Sequence, residues 1–396
     1  MIERSVQISL PHRVFFTDGA FAAGNDTLAR ALGDTGPRLR KVLTVVEEAV
    51  ARAQPGLVES IGAWFAQGGG PWQPAGTLVL PGGEACKNDW RRVEELWGAI
   101  NDAGMDRHSY VIAAGGGALL DLVGFAAATA HRGLRHLRMP TTTLSQGDGG
   151  VGVKNGVNFF GKKNWSGSFA VPWAVVNDHR FLATLPSADK RDGLIEAIKV
   201  ALIRDAAFYG ELEENAAALA ALEDDFLRRL IRRSAELHVE HICTGGDPFE
   251  LGSARPLDFG HWVAHKLEPL SGFVLSHGKA VAIGMAVDLL YAKHRGLLAV
   301  ADCDRILALI ERAGFHLWHD TLDACEANGQ PCVLRGLEEF REHLGGELTI
   351  TLVTAPGCAV EVHEMDHATV QQAIGELRRR AAFTPPASPA TAASLL

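Results

Sequence analysis

A chain of 396 residues, 47% of them hydrophobic, can bury one large core or two moderate ones. Its formal charge of −9 at pH 7 comes without a basic cluster, which argues against a nucleic-acid partner. The most apolar helix-like run, 280–292, is too short for a membrane span and contains Asp288. Residues 1–5 lack the charged-then-apolar pattern of a secretion signal, and the 6 cysteines show no CxxC pairing, so we expect reduced thiols in a cytoplasmic protein.

Short runs of β-branched residues alternate with helical or glycine-rich segments in the first half of the chain, and this pattern predicts a parallel sheet of βαβ units. The runs lie at 41–47, 77–81, 110–114 and 174–177. From about residue 187 helical patterns dominate. We therefore predict an α/β dinucleotide-binding domain at 1–186 and an all-α domain at 187–380. Residues 381–396 are proline-rich and lack an apolar period, which predicts a disordered tail.

A glycine-rich turn, Gly115-Gly116-Gly117, follows the run at 110–114. A buried strand that enters such a turn and then a helix presents backbone N–H groups on which a pyrophosphate can bind. The spacing is not a strict G-x-G-x-x-G, and a plain strand–helix turn is an equal alternative. Asp121, early in the helix, could serve the cofactor or only the helix dipole.

Three histidines and a glutamate form the second notable pattern. His261 and His265 are four residues apart, His277 follows, and Glu196 lies upstream. An i,i+4 pair shares one helix face, so one imidazole can bind a metal while the other handles protons. A histidine pair alone is more often an ordinary surface or core feature. Two imidazoles with a carboxylate, however, make a three-ligand site suited to zinc or cobalt that leaves positions open for substrate oxygens.

In their order along the chain, these segments resemble the 3-dehydroquinate synthase family, the NAD-dependent sugar-phosphate cyclases. The resemblance covers roughly residues 40–355. The matching pieces are Pro81–Lys87, Gly115–Gly117 with Asp121, Arg132-Gly133, Pro140–Thr142, Asp148, Lys154, Asn158, Lys163-Asn164, Thr184–Pro186, Glu196 with Lys199, Gly260-His261, His265 and His277-Gly278.

The resemblance implies a homodimeric enzyme that uses NAD and a divalent metal, zinc or cobalt, to eliminate phosphate from a small-molecule sugar phosphate and close a carbocycle by an intramolecular aldol step. It implies that Glu196, His261 and His277 bind the metal. The residues implied in catalysis are His265, Lys199, Asp148 and Lys154. Those expected at the cofactor are Glu47, Glu84, Lys87, Gly115, Gly116, Gly117, Asp121, Thr141, Thr142, Lys163 and Thr184. Those expected at the substrate are Arg132, Asn164, Arg255, Asp258 and His343.

Two of these assignments are more specific. Glu47, at the end of the first clear strand, is placed for a ribose diol as in other dinucleotide folds, although Asp or Asn is more usual there. Arg132 is expected to reach across a dimer interface, as its family counterpart does.

The chain departs from the family pattern at the substrate end. Asp258 replaces the usual Asn, and Arg255 is one residue out of register with the family's carboxylate-binding Arg. A further family lysine falls on Glu240, or on His238 with two residues inserted, and His343 lies where a Lys-Lys pair is typical. A site with fewer cations and one more carboxylate disfavours a carboxylated substrate.

We therefore expect a neutral heptulose phosphate such as sedoheptulose 7-phosphate, with a genuine 3-dehydroquinate synthase or a metal-dependent polyol dehydrogenase as alternatives. His265 is retained where the 2-epi-5-epi-valiolone synthases usually carry proline, so the match to that group is incomplete. Residues 245–251 with 258–262 resemble the dehydroquinate-synthase-like proteins of ebo-type gene clusters.

Overall fold

The computed structural model describes residues 1–33, 36, 38–67, 70–253, 255–327, 329–343 and 345–383. The described strands are β1 (Val14–Thr17), β2 (Arg40–Glu47), β3 (Trp72–Leu80), β4 (Tyr110–Gly115), β5 (Arg135–Pro140), β6 (Lys154–Phe159), β7 (Lys162–Phe169), β8 (Ala174–Asp178), β9 (Ile350–Ala355) and β10 (Cys358–Val362).

The described α-helices are α1 (Thr27–Leu32), α2 (Glu48–Ala53), α3 (Leu57–Ala66), α4 (Arg91–Asp102), α5 (Gly117–Thr129), α6 (Arg180–Ala183), α7 (Ser187–Arg204), α8 (Ala206–Glu214), α9 (Ala216–Ala221), α10 (Asp224–Thr244), α11 (His261–Leu270), α12 (His277–His294), α13 (Val300–Arg312), α14 (Arg335–His343) and α15 (His367–Phe383). None of the helices in these ranges is both long and apolar enough to cross a bilayer.

The chain divides into two compact units whose boundaries differ from the predicted domain boundary after residue 186. The first unit contains Met1–Ala197 and Leu222–Phe249, and the second contains Ile198–Ala221 and the chain from Glu250 onward. The chain therefore passes from the first unit to the second within α7, and α10 returns to the first unit.

The first unit is built on a six-stranded sheet of order β1-β8-β5-β4-β2-β3, in which every pair is parallel. The predicted parallel sheet is thereby confirmed. Along β4, Ile112 and Ala114 belong to one apolar cluster, whereas Val111 and Ala113 belong to another. Because apolar side chains on both faces need cover, helices pack on each side of the sheet. An antiparallel hairpin of β6 and β7, which the sequence pattern did not predict, belongs to the same unit.

The second unit is mainly helical and centres on α12, whose residues from Gly278 to Ala292 are almost all buried. Helix α11 packs against α12 at a point where two glycines meet. A Cβ added at Gly284 would overlap the carbonyl group of Gly260, and Gly260 itself has φ +79°, so both positions favour glycine. The antiparallel pair β9–β10 adds strands that the helical prediction did not include.

The predicted disordered tail lies almost entirely outside the described residues. Helix α15 continues to Phe383, three residues beyond the predicted end of the helical domain at 380.

Candidate active site

Helix α11 begins at His261, and its first two turns present two histidines on one face. The ring centroids of His261 and His265 are 5.4 Å apart, and His277, the first residue of α12, lies 5.4 Å from His261 and 6.4 Å from His265. The i,i+4 spacing thus gives the shared face that the sequence predicted. His261 is buried, His277 is half-buried and His265 is exposed.

A buried carboxylate on α12 fixes the start of α11. The two oxygens of Asp288 accept hydrogen bonds from the backbone N–H of Gly260 at 3.0 Å and from the indole N–H of Trp262 at 2.8 Å. Burial raises the pKa of Asp288 to about 7, although both hydrogen bonds favour the charged form. Since Gly260 and Trp262 flank His261, Asp288 sets the direction in which this histidine leaves the helix terminus.

Hydrogen bonds at Nδ1 orient two of the histidine rings. Nδ1 of His277 lies 2.6 Å from Oε1 of Glu268, a residue whose side chain is 3% exposed. Nδ1 of His261 lies 3.2 Å from the carbonyl oxygen of Phe259. In both rings a proton on Nδ1 would leave Nε2 with its lone pair, which is the tautomer that a metal requires.

The structure brings together the three residues predicted as metal ligands. Glu196, His261 and His277 each offer a ligand atom, and these atoms lie within 4.8 Å of one another. Burial, and after it the charge of Lys199, holds the pKa of His261 well below its usual value, so the ring is neutral at pH 7. Lys199 is buried and follows Glu196 by three residues on α7, close to one helical turn.

The glycine turn lies between β4 and α5, as predicted, but one of its amides has a protein partner. The N–H of Gly116 donates to Oε2 of Glu47 at 2.6 Å. Burial raises the pKa of Glu47, and the charge of Asp189 raises it further against the lowering effect of the Gly116 hydrogen bond. A Cβ added at Gly82 would overlap this carboxylate, so the Pro-Gly-Gly loop closes over Glu47. Glu47 therefore braces the turn here, and its role at a ribose diol stays a prediction.

A polar network joins several residues expected at the cofactor. Nζ of Lys87, a buried residue, donates to Asp121 at 2.8 Å and to the side chain of Asn164. Asn158 donates to Glu84 at 2.8 Å and accepts from the backbone N–H of Asn164 at 2.8 Å. Asp121, the fifth residue of α5, is thus an ion-pair partner of Lys87, which goes beyond the helix-dipole interpretation.

Of the remaining cofactor candidates in the first unit, the three threonines lie on loops and Lys163 lies on β7. Thr141 is buried and donates its backbone N–H to Gly115 O at 3.0 Å. Thr142 shares a 2.8 Å hydroxyl contact with Ser145. Thr184, after α6, accepts from the Gln54 amide at 3.2 Å. Nζ of Lys163 lies 4.0 Å from a Glu84 oxygen.

The catalytic candidates Asp148 and Lys154 lie at the two ends of one short segment of the first unit. Oδ1 of Asp148 lies 2.5 Å from Nδ1 of His238 on α10. The backbone carbonyl of Lys154 accepts from the guanidinium of Arg138 at 2.8 Å. Lys154 is exposed, and Asp148 is half-buried.

The residues expected at the substrate differ in their backbone conformation and in their side-chain contacts. Arg132 and Asn164 have positive φ values of 62° and 52°, which are uncommon for residues with a Cβ. Nε of Arg255 lies 3.1 Å from Oε2 of Glu250, and its Nη1 donates to Gly252 O at 2.8 Å. Asp258 contributes to the field at His261 by favouring its charged form. His343 ends α14, and its side chain lies outside the described residues.

Sequence reasoning assigned no supporting role to Glu268, Asp288 or Arg138, and it named His238 only as an alternative position of a family lysine. Asp288 had a readable signal, because a carboxylate inside an otherwise apolar helix needs buried partners. Glu268 pairs with His277, and His238 pairs with Asp148. Both pairings depend on contacts between different elements, and no local spacing in the sequence indicates them.

Comparisons with known proteins cover most of the chain. The model of the 3-dehydroquinate synthase N-terminal domain matches residues 77–192, and that of the C-terminal domain matches 193–329. A 2-epi-5-epi-valiolone synthase of Streptomyces glaucescens is 32% identical over 364 residues, which cover 90% of this chain and 87% of the relative. A 3-dehydroquinate synthase of Azotobacter vinelandii is 36% identical over 302 residues, or 74% of this chain and 78% of the relative.

Solved structures give the same result for the fold. A 2-epi-5-epi-valiolone synthase of Streptomyces hygroscopicus, with NAD+ and Zn2+ bound, has a TM-score of 0.82 at 28% identity over 96% of this chain and 100% of that chain. A 2-deoxy-scyllo-inosose synthase, in complex with carbaglucose-6-phosphate, NAD+ and Co2+, has a TM-score of 0.73 at 19% identity over 92% and 96% of the two chains, which shows the fold alone. The predicted fold class and the family resemblance are confirmed. The chain belongs to the 3-dehydroquinate synthase family of sugar-phosphate cyclases.

Proposed function

We propose that this protein is an NAD- and divalent-metal-dependent cyclase that releases phosphate from a heptulose phosphate without a carboxylate, such as sedoheptulose 7-phosphate. The observation that carries the choice of substrate is the ion pair between Arg255 and Glu250 at 3.1 Å. The Arg255 side chain is 9% exposed, and its charge is compensated within its own loop by Glu250 and the Gly252 carbonyl. A cation held in this way is a poor receptor for a substrate carboxylate, which needs an uncompensated Arg or Lys.

The residues present fit a divalent metal. Glu196, His261 and His277 supply one oxygen and two nitrogens within 4.8 Å of one another, a donor set suited to zinc or cobalt. The Nδ1 contacts of both histidines direct Nε2 toward a ligand, and the lowered pKa keeps His261 neutral. When bound, the metal would hold vicinal substrate hydroxyls and lower their pKa.

The start of α5 fits a dinucleotide phosphate. A Cβ built at Gly117 meets nothing within 4 Å, so the backbone at the helix N-terminus is accessible. Lys87, Asp121, Glu84 and Asn158 form a preorganised polar set in the same unit. When bound, NAD would supply reversible hydride transfer at a secondary alcohol, which acidifies the neighbouring carbon–hydrogen bond.

The protein's own side chains bind, orient and handle protons. Lys199 and His265 would contact the substrate, Asp148 and Lys154 would orient its reacting hydroxyls, and Asn164 with Arg132 would bind its phosphate. Asp258 would accept hydrogen bonds from a sugar diol and repel a carboxylate. These groups act by positioning and electrostatics, which suits a reaction in which the cofactor ends as it began.

The same resemblance supports a homodimer in which Arg132 reaches the partner subunit. Light scattering on the purified protein tests this, and a monomer that turns over at full rate would contradict it.

The alternative is a genuine 3-dehydroquinate synthase, which is favoured by the 36% identity to the Azotobacter enzyme. The deciding assay incubates the protein with NAD+, Co2+ and either sedoheptulose 7-phosphate or the carboxylated heptulosonate phosphate, and measures released phosphate. We expect release from sedoheptulose 7-phosphate, with His277→Ala as the inactive control. Release from the carboxylated substrate alone would establish the alternative, and stoichiometric accumulation of NADH would indicate a polyol dehydrogenase.

A further inference from the structure

Helix α10 contacts the segment 147–154 through two side chains one turn apart. Nδ1 of His238 lies 2.5 Å from Oδ1 of Asp148, with the two side chains 12% and 21% exposed. The hydroxyl of Ser234 donates to the Gly147 carbonyl at 3.1 Å. Residues four apart share a helix face, so α10 holds Asp148 through its side chain and the preceding residue through its backbone.

Close packing fixes α10 in this position. A Cβ added at Gly147 would lie 3.3 Å from the Ser234 hydroxyl, which is tighter than most real contacts. Below this contact, Val151, Val175 and Ala235 form a buried apolar cluster. Because the helix cannot withdraw without opening that cluster, His238 is held against Asp148.

Arg138, a fully buried residue on β5, fixes the backbone of the same segment. Its guanidinium donates to the carbonyls of Gly150 at 3.2 Å, Gly152 at 2.9 Å and Lys154 at 2.8 Å. Burial lowers the pKa of Arg138 to about 10, which leaves it a cation at neutral pH. With the backbone held, the contact with His238 restricts rotation of the Asp148 carboxylate.

His238 lies at a position where the family pattern differs. A lysine that is typical of the family aligns with Glu240 or with His238 in this sequence. In the structure His238 contacts Asp148, and Glu240 is exposed. Among the described residues, His12 is a further titratable group near His238: its Nε2 contacts the Val151 carbonyl at 2.7 Å, and burial lowers its pKa against the raising effect of that contact. A neutral His238 with its proton on Nδ1 is sufficient for the contact with Asp148.

We propose that His238 is a positioning residue that fixes the Asp148 carboxylate by donating a hydrogen bond from Nδ1. The inference rests on the proposed function, because that function makes Asp148 a catalytic residue. A carboxylate that is free to rotate loses the alignment that the reaction needs, and a misplacement of about 1 Å can cost on the order of 100-fold in rate. The loss should therefore appear in kcat and leave KM nearly unchanged.

Three variants at position 238 distinguish the effect of a hydrogen-bond donor from the effect of side-chain volume. The amide nitrogen of Asn can occupy the place of Nδ1, whereas that of Gln reaches the place of Nε2. We expect His238→Asn to keep kcat within about 5-fold of the wild type, and His238→Gln and His238→Leu to lose about 100-fold. KM, metal affinity and Tm should stay close to wild type in all three. Equal kcat in Asn and Leu variants, or a wild-type kcat in the Leu variant, would overturn the proposal.

A measurement without turnover guards against variants that fold poorly. A short N–H···O bond between imidazole and carboxylate gives a proton resonance far downfield of the amide region. We expect this resonance in the wild-type protein and its loss in Asp148→Asn. Its absence from an active wild-type enzyme would overturn the role of His238 alone. A wild-type protein that shows the resonance but releases no phosphate from either heptulose phosphate would overturn the proposed function and leave the pairing intact.

Discussion

Nδ1 of His277 and Oε1 of Glu268 lie 2.6 Å apart, and this contact decides which nitrogen of His277 is available to a metal. A carboxylate behind a histidine ligand fixes the ring orientation and raises its basicity, and losing such a partner typically costs 10- to 100-fold in metal affinity, a rough range. The Glu268 side chain is buried, so solvent does not replace it.

Glu268→Gln should therefore weaken Co2+ binding by about 10- to 100-fold, because the amide keeps the shape but loses the charge. Titration with Co2+, followed by its visible absorbance, measures this directly. The matched control is Glu339→Gln, which removes an exposed carboxylate 2.6 Å from Lys266 of α11. Equal Co2+ affinity in the wild type and Glu268→Gln would contradict a supporting role for this residue.

The glycine turn leads to a prediction about the cofactor. A Cβ at Gly116 would meet Glu47 and Thr142 at ordinary distances of 3.5 Å and 3.6 Å, so the turn has room for a Cβ. Gly116→Val should nevertheless block close approach of the phosphates and weaken NAD binding by about tenfold or more. Fluorescence titration with NADH measures the affinity. Gly98→Val, at an open position of α4, is the control.

An unchanged affinity for NADH in Gly116→Val would show that the turn is structural only. The Glu47 contact with the Gly116 amide makes this outcome informative, since it would mean that Glu47 and not the dinucleotide is the partner for which the turn is built.

The sheet and the histidine helix could be predicted because local patterns determine them. Five consecutive apolar or small residues, followed by three glycines, predicted β4 and its turn. A spacing of four residues predicted the shared helix face of His261 and His265. Each of these features depends on neighbours in the sequence. The β9–β10 hairpin was missed because its strands, Ile350–Ala355 and Cys358–Val362, are short and lie in the half of the chain where helical patterns dominate.

The supporting residues could not be assigned in the same way. Asp288 stood out in the sequence only as an argument against a membrane span, yet in the structure it accepts from Gly260 and Trp262 of another helix. Asp148 was identified by resemblance, but its partner His238 is 90 residues away, and their contact depends on how α10 packs. Pairings of this kind are set by tertiary packing, which periodicity does not encode.

Substrate choice should respond to Glu250, because this residue compensates the charge of Arg255. Glu250→Gln should raise kcat/KM for the carboxylated heptulosonate phosphate at least severalfold, since it frees a cation for the extra anion. Turnover of sedoheptulose 7-phosphate should change little. Phosphate release from both substrates is the measurement, and Glu326→Gln, which breaks an exposed pair with Arg335, is the control. No gain on the carboxylated substrate would remove Arg255 from the account of specificity.

Asp258→Asn should act in the same direction. An Asp in a pocket repels a substrate carboxylate, whereas Asn tolerates it. We expect lower turnover of sedoheptulose 7-phosphate and equal or higher turnover of the carboxylated analogue, and His343→Lys added to it should extend the shift. If both changes abolish activity on the carboxylated substrate, the protein is a dehydroquinate synthase and the proposed preference is wrong.

The raised pKa of Asp288 makes stability depend on pH in a definite direction. Its pKa is about 7 in the folded protein against an ordinary 3.8, so the folded state binds the proton more tightly than the unfolded state. The stabilising contribution is fully present below the ordinary pKa and is lost as pH rises through 7. Between pH 5.5 and 8.5 this amounts to about 2 kcal/mol, since one pKa unit corresponds to about 1.4 kcal/mol.

Asn at this position cannot ionise, but its carbonyl oxygen can still accept from Gly260 or Trp262. Asp288→Asn should therefore be less stable than the wild type at pH 5.5 and should recover by about 2 kcal/mol relative to it at pH 8.5. Urea denaturation at both pH values, with the exposed Asp225→Asn as control, gives the difference in the free energy of unfolding. A difference that stays constant with pH would mean that Asp288 is already charged at pH 5.5, held so by its two hydrogen bonds.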